Sequence, residues 1–85
     1  MKKTRTELIE KLGLEAVQMI DKRLSKHWFD LTDEEKAEHN KSDNAWHKFV
    51  MLCSGMDNED FADTMREFEP DNRIVLEEII ADCVG

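Results

Sequence analysis

Apolar side chains recur at three- and four-residue steps along most of this chain, the spacing of helices that each turn one face inward. From Thr6 and Glu7 onward, Leu8, Ile9, Leu12, Ala16, Val17, Ile20, Leu24 and Trp28 form the first stripe. Gly13 interrupts it between Leu12 and Leu14, and the pattern predicts a break there, with Gly13 as a left-handed cap to a short first helix. An unbroken helix through Gly13 would cost about 1 kcal/mol relative to Ala. A new helix is predicted from Asp33, with Thr32 as N-cap, Glu35 as its capping-box partner and acids lining the first turn. Residues 36–44 are almost wholly polar and read either as an exposed helical turn or as a loop before a helix capped by Ser42 or Asp43. Trp46, Phe49, Val50 and Cys53 stand at i, i+3, i+4 and i+7, a core-facing stripe that closes near Gly55.

Asp57 is placed to cap the next helix, whose inward side is Phe61, Met65 and Phe68. Pro70 suits the first position of a last helix over residues 71–83, with Leu76, Ile79, Ile80 and Cys83 inward and Glu77, Glu78 and Asp82 toward water. Strand-like alternation, repeats and disordered linkers are absent. The expected fold is all-α: a compact bundle of four or five short helices in a single domain over residues 1–85, with Trp46, Phe49, Phe61, Phe68, Leu76 and Ile80 in its core.

Composition narrows the class. A chain of 85 residues supports one core and excludes a two-domain enzyme. The longest apolar run covers residues 49–53, far short of the roughly 20 residues of a membrane span. Glu7, Glu10 and Lys11 break up the apolar segment a signal peptide needs after its basic start. Cys53 and Cys83 both sit in apolar helical surroundings, which predicts buried thiols and no disulfide framework, hence a cytoplasmic protein. No cofactor is expected.

Charge changes the picture most. The net charge is −8, yet residues 1–29 carry seven basic and four acidic groups, while residues 30–85 carry five basic and sixteen acidic ones. From Met51 onward only Arg66 and Arg73 oppose ten carboxylates. The string Asp57, Glu59, Asp60, Asp63, Glu67, Glu69 and Asp71 is the candidate partner-binding face. Helix-dipole complementation accounts for Asp57, Glu59 and Asp60 without any partner. Asp60, Asp63 and Glu67 should share one helical face, with Glu69 and Asp71 continuing it and Arg66 as the only local cation, so like charges repel there. The face is expected either to meet a basic protein surface or merely to solubilise the chain.

Three other constellations compete. Residues 8–17 resemble the start of a DNA-binding helix-turn-helix, in which a Gly turn separates two helices; the resemblance implies a transcription regulator touching phosphates through Lys22, Arg23 and Lys26. The chain departs from that family at Lys22, where an apolar packing residue belongs, and at Glu15, where a small capping residue belongs. Glu35, His39, Asp43 and His47 follow one another at four-residue spacing, a line that would suit a divalent ion on a continuous helix, but a strict four-residue step drifts around the axis and a solvated face is expected instead. Cys53 with His47 would suggest a thiol nucleophile, although the stripe buries Cys53.

The expected function is a non-enzymatic interaction protein that binds and inhibits or otherwise modulates a protein partner through its acidic C-terminal half. No metal, no membrane insertion and no direct duplex binding are expected, and self-association is left open. In one variant, apolar residues such as Met56, Met65 or Phe68 anchor a groove while acids steer the partner. In another the carboxylates imitate a phosphate backbone, making the chain a DNA mimic that inhibits a nucleic-acid-binding protein. In size and acidity the chain resembles the accessory proteins of bacteriophages.

Overall fold

Two threonine capping boxes set the helix starts. Thr4 Oγ1 accepts from Glu7 N at 3.2 Å while Thr4 N donates to Glu7 Oε1, which opens α1 over Arg5–Leu12. Thr32 and Glu35 repeat the arrangement and open α3 over Asp33–Lys41, as the sequence predicts. Between them, α2 runs over Leu14–Arg23, and a single 3-10 turn covers Trp28–Asp30. The remaining helices are α4 (Asp43–Leu52), α5 (Asn58–Met65) and α6 (Arg73–Val84). The computed structural model describes residues 1–84, and among them there are six α-helices and no strand. The all-helical expectation holds, and the two extra helices come from residues 36–44, which are helical to Lys41, and from Gly13.

Gly13 does break the first stripe, but not in the left-handed helical conformation expected of a cap. Its φ of 92° and ψ of 149° hold the chain extended between α1 and α2, a backbone that side-chain-bearing residues rarely adopt. Nothing lies within 4 Å of where a Cβ would stand, so the requirement is conformational rather than steric.

The core joins Leu8 of α1, Val17 and Ile20 of α2, Phe49 and Cys53 of α4, Met65 of α5, Phe68, and Leu76 and Ile80 of α6. Phe49 is its centre. Its ring stacks on Phe61 at 5.8 Å, meets Phe68 edge-on at 5.0 Å and lies 5.4 Å from Trp46. The radius of gyration, 12.2 Å, is that of a close-packed domain of this length.

Four expectations give way. Trp28 leaves the first stripe because α2 ends at Arg23, so its indole is 47% exposed. Val50, assigned to the α4 stripe, is 41% exposed, because Ala45 and Phe49 fill the inward side. Cys83 is exposed rather than inward, since the buried side of α6 is set by Leu76 and Ile80. Pro70 is not the first residue of α6. It sits in an extended connection whose flanking N–H groups point inward, Glu69 N to Asp21 Oδ1 at 2.8 Å and Asp71 N to Ser25 Oγ at 3.0 Å. Alternate residues of an extended chain face opposite ways, so Pro70 occupies the position where no donor is wanted. Asn72 Oδ1 then accepts from Ile74 N and begins α6.

Truncating Phe49 to Ala should cost about 3–5 kcal/mol. Thermal and denaturant unfolding followed by circular dichroism measures this; an unchanged melting transition would remove Phe49 from the centre of the core.

Candidate functional site

The acidic string of residues 57–71 divides when each carboxylate is placed. Asp57 Oδ1 caps α5 by accepting from Asp60 N at 2.8 Å. Asp60 lies 2.8 Å from the Met1 amino group, and Asp63 lies 3.1 Å from Arg66 Nη1. Glu67 Oε1 accepts from Arg5 N at 3.1 Å, and Glu69 lies 3.8 Å from Arg5 Nε. Only Glu59 and Asp71 keep carboxylates with neither an ion pair nor a hydrogen bond among the described residues, and Asp82 on α6 joins them.

The expected single face of Asp60, Asp63 and Glu67 does not form. α5 stops at Met65, and the next bonds, Glu67 N to Thr64 O and Phe68 N to Met65 O, tighten the chain into a turn that carries Glu67 away from the helix line. Arg66 is also not the sole cation. It spans Asp63 and Glu77, holding the Glu77 carboxyl below its ordinary range through the hydrogen bond at 3.0 Å, while Arg5 arrives from the other end of the chain.

That arrival builds a polar junction. Arg5 grips Asp21 with two bonds, Nη1 to Oδ1 at 3.1 Å and Nη2 to Oδ2 at 2.9 Å, with only 23% and 13% of the two side chains exposed. The Asp21 hydrogen bond raises the Arg5 guanidinium above its ordinary value, burial working against it. Asp21 Oδ1 also receives Glu69 N, and Ser25, one turn later, donates to Asp21 O and receives Asp71 N. Thr64, fully buried, receives Lys3 N at 3.0 Å. Two extended segments are thus pinned by side chains of α2 and α5 that accept their inward N–H groups.

The basic candidates are also engaged. Arg23 Nη1 reaches Asp43 Oδ1 at 2.7 Å, Ser42 Oγ at 3.0 Å and His39 O at 3.2 Å, and its guanidinium lies 5.3 Å from the Trp46 ring. Lys26 holds Glu35 at 2.8 Å and, through that bond, keeps the Glu35 carboxyl below its ordinary range. Lys22 alone of the three is exposed and unpaired among the described residues.

The metal line is dispersed. Glu35 faces Lys26, Asp43 faces Arg23, and the helix axis breaks at Ser42 between His39 and His47. Among the described residues no group of three His, Cys, Asp or Glu side chains is placed to hold an ion. His39 packs edge-on against Trp28 at 5.5 Å, and burial, followed by the charge of Arg23, lowers its pKa. Cys53 is buried and its thiol is pushed up to about 11, far from the thiolate a nucleophile requires.

The groove anchors also change. Met65 and Phe68 are fully buried and Met56 half-buried, so none projects to a partner. The aromatic surface lies elsewhere. Phe29 is 95% exposed on the 3-10 turn, beside a cleft of about 220 Å³ walled by Leu24, Trp28, His39, Trp46 and Ile79. Adjacent residues point apart on any helix, so the neighbouring pair Trp28–Phe29 already implies that one aromatic ring leaves the stripe.

Asp21→Ala should destabilise by about 2–3 kcal/mol, because it leaves Arg5 and Glu69 N without their acceptor. Asp43→Ala, which removes a mostly exposed partner, should cost about 1 kcal/mol or less. Chemical denaturation of the two variants tests the ranking. At pH 8, an alkylating reagent should label Cys83 first and Cys53 only as the protein unfolds, as mass spectrometry of the labelled peptides would report; equal labelling would contradict the burial of Cys53. No protein-family model, curated protein or solved structure matches this chain.

Proposed function

We infer that the chain is a small, non-catalytic interaction protein that binds and modulates a protein partner carrying a basic surface. The observation that carries this reading is the set of carboxylates left without cations after folding. Asn58 Nδ2 donates to Val84 O at 3.4 Å, which brings the N-terminal end of α5 beside the C-terminal end of α6. Asp57, Glu59 and Asp82 therefore lie at one end of the molecule, where no lysine or arginine pairs with them among the described residues. Charges arranged this way raise the encounter rate with a cationic surface.

The non-catalytic part of the reading is supported by the state of the nucleophiles and bases. The one hydrogen bond made by an imidazole ring among the described residues is His27 Nε2 to Glu78 Oε2, 2.6 Å, and Cys53 is buried. No serine, threonine or cysteine stands hydrogen-bonded to a base in the manner of an activated nucleophile.

Glu59→Gln, Asp71→Asn and Asp82→Asn together test the reading without touching the Asp57 cap or the junction at Asp21. After capture of the partner, surface plasmon resonance across a salt series should show an on-rate lowered several-fold and a flatter salt dependence, with a smaller change in the dissociation rate. A collapse of equilibrium affinity instead would favour imitation of a phosphate backbone along the whole contact. Unaltered kinetics would reduce these acids to a solubilising surface.

A further inference from the structure

A single exposed apolar side chain on a protein surface needs no explanation, but Phe29 is not isolated. It projects from the turn that joins α2 to α3, at 95% exposure, next to the half-exposed Trp28. Trp28 is itself a wall of the 220 Å³ cleft, opposite Trp46 and His39. That volume is below the roughly 300 Å³ of a small-molecule site, yet it is large enough for one aromatic ring. A knob and a matching hole therefore share one corner of the molecule.

The electrostatics of this corner differ from the rest of the chain. Its cations are already neutralised from outside the cleft, Arg23 by Asp43, Lys26 by Glu35, and His27 lies against Glu78. The cleft therefore presents aromatic faces without an uncompensated charge to desolvate, which suits a neutral ring rather than an anion. Two charges remain without ion pairs among the described residues, and they flank the aromatic turn with opposite sign. Asp30 follows Phe29, and the Lys36 ammonium stands 5.5 Å from the centre of the Trp28 ring. At a net charge of −8, two copies of this chain repel over most of their surfaces. Here alone the local balance lets them meet.

We propose that two copies associate about a two-fold axis through this corner, each inserting Phe29 into the other's cleft between Trp28, Trp46 and His39, with Asp30 of one copy against Lys36 of the other. Two-fold symmetry requires a self-complementary patch, so that each contact occurs twice. Phe29 with the cleft, and Asp30 with Lys36, supply two such pairs. The patch is small beside the roughly 800 Å² per partner of a standard interface, so the dimer is weak and depends on concentration.

Sedimentation equilibrium from about 10 µM to about 1 mM, with tryptophan emission recorded over the same range, tests this. The wild-type protein should pass from monomer to dimer, with its emission shifting to the blue as Trp28 loses water. Phe29→Ser should weaken association at least tenfold and leave the melting temperature unchanged. Asp30→Lys and Lys36→Asp should each weaken it alone, and an equimolar mixture of the two variants should dimerise again, because both cross-axis pairs are then restored with reversed sign. Glu59→Gln should leave association unaltered. A wild-type protein monomeric at every concentration, a Phe29→Ser protein that dimerises as well as the parent, or a mixture that fails to recover would each overturn the proposal.

Discussion

The Arg5–Asp21 pair is the contact on which the arrangement of this small protein depends. Helices of 8 to 12 residues are marginal in water, so each one here must be held by what it packs against. The apolar core supplies most of that, but a core of short helices can slide. Asp21 removes the freedom by serving α1 through the Arg5 guanidinium and the segment after α5 through Glu69 N, with both carboxylate oxygens engaged. A half-buried carboxylate with three donors has no second arrangement of similar energy. The junction therefore fixes where α1, α2 and the approach to α6 stand relative to one another.

The same junction explains how a chain with this acidic excess remains compact. The positive N-terminal segment folds against the negative segment after α5, so part of the asymmetry is cancelled internally, by Arg5 on Asp21 and Glu69 and by the Met1 amino group on Asp60. Arg66 joins α5 to α6 through Asp63 and Glu77. What is left over is a smaller and differently placed set of carboxylates than the linear string suggests. An acid drawn into the scaffold is a poor lure for a partner, whereas Glu59 and Asp82 have no structural duty.

Much of the architecture was legible in the sequence because it rests on local chemistry. The Thr32–Glu35 capping box, the Asp57 cap, the break at Gly13 and the central place of Phe49 each follow from residues within a turn or two of one another. The start of α1 could have been read the same way, since Thr4 and Glu7 repeat the Thr32 and Glu35 spacing. The candidate site was less legible because its contacts are distant in sequence. Glu67 meets Arg5 across 62 positions and Asp71 meets Ser25 across 46, so no periodicity can reveal which acids are used internally. Pro70 misled for a related reason: proline at a helix start and proline in an extended connection satisfy the same missing N–H, and only the distant acceptors Asp21 and Ser25 distinguish the two.

The extended connection around Pro70 has a bearing on how the chain is made. The acceptors Asp21 and Ser25 leave the ribosome well before the donors that complete them, with 48 positions separating Asp21 from Glu69. At about 5–20 residues per second, that interval is roughly 2 to 10 s of synthesis. For its duration the nascent α1–α2 pair carries a carboxylate whose final neighbours do not yet exist, and Phe49 waits for Phe61 and Phe68 in the same way. Assembly of the core is thereby deferred to the end of translation, and any device that slowed synthesis between α4 and α6 would prolong the period in which the apolar faces of the first four helices are open to a chaperone or to one another.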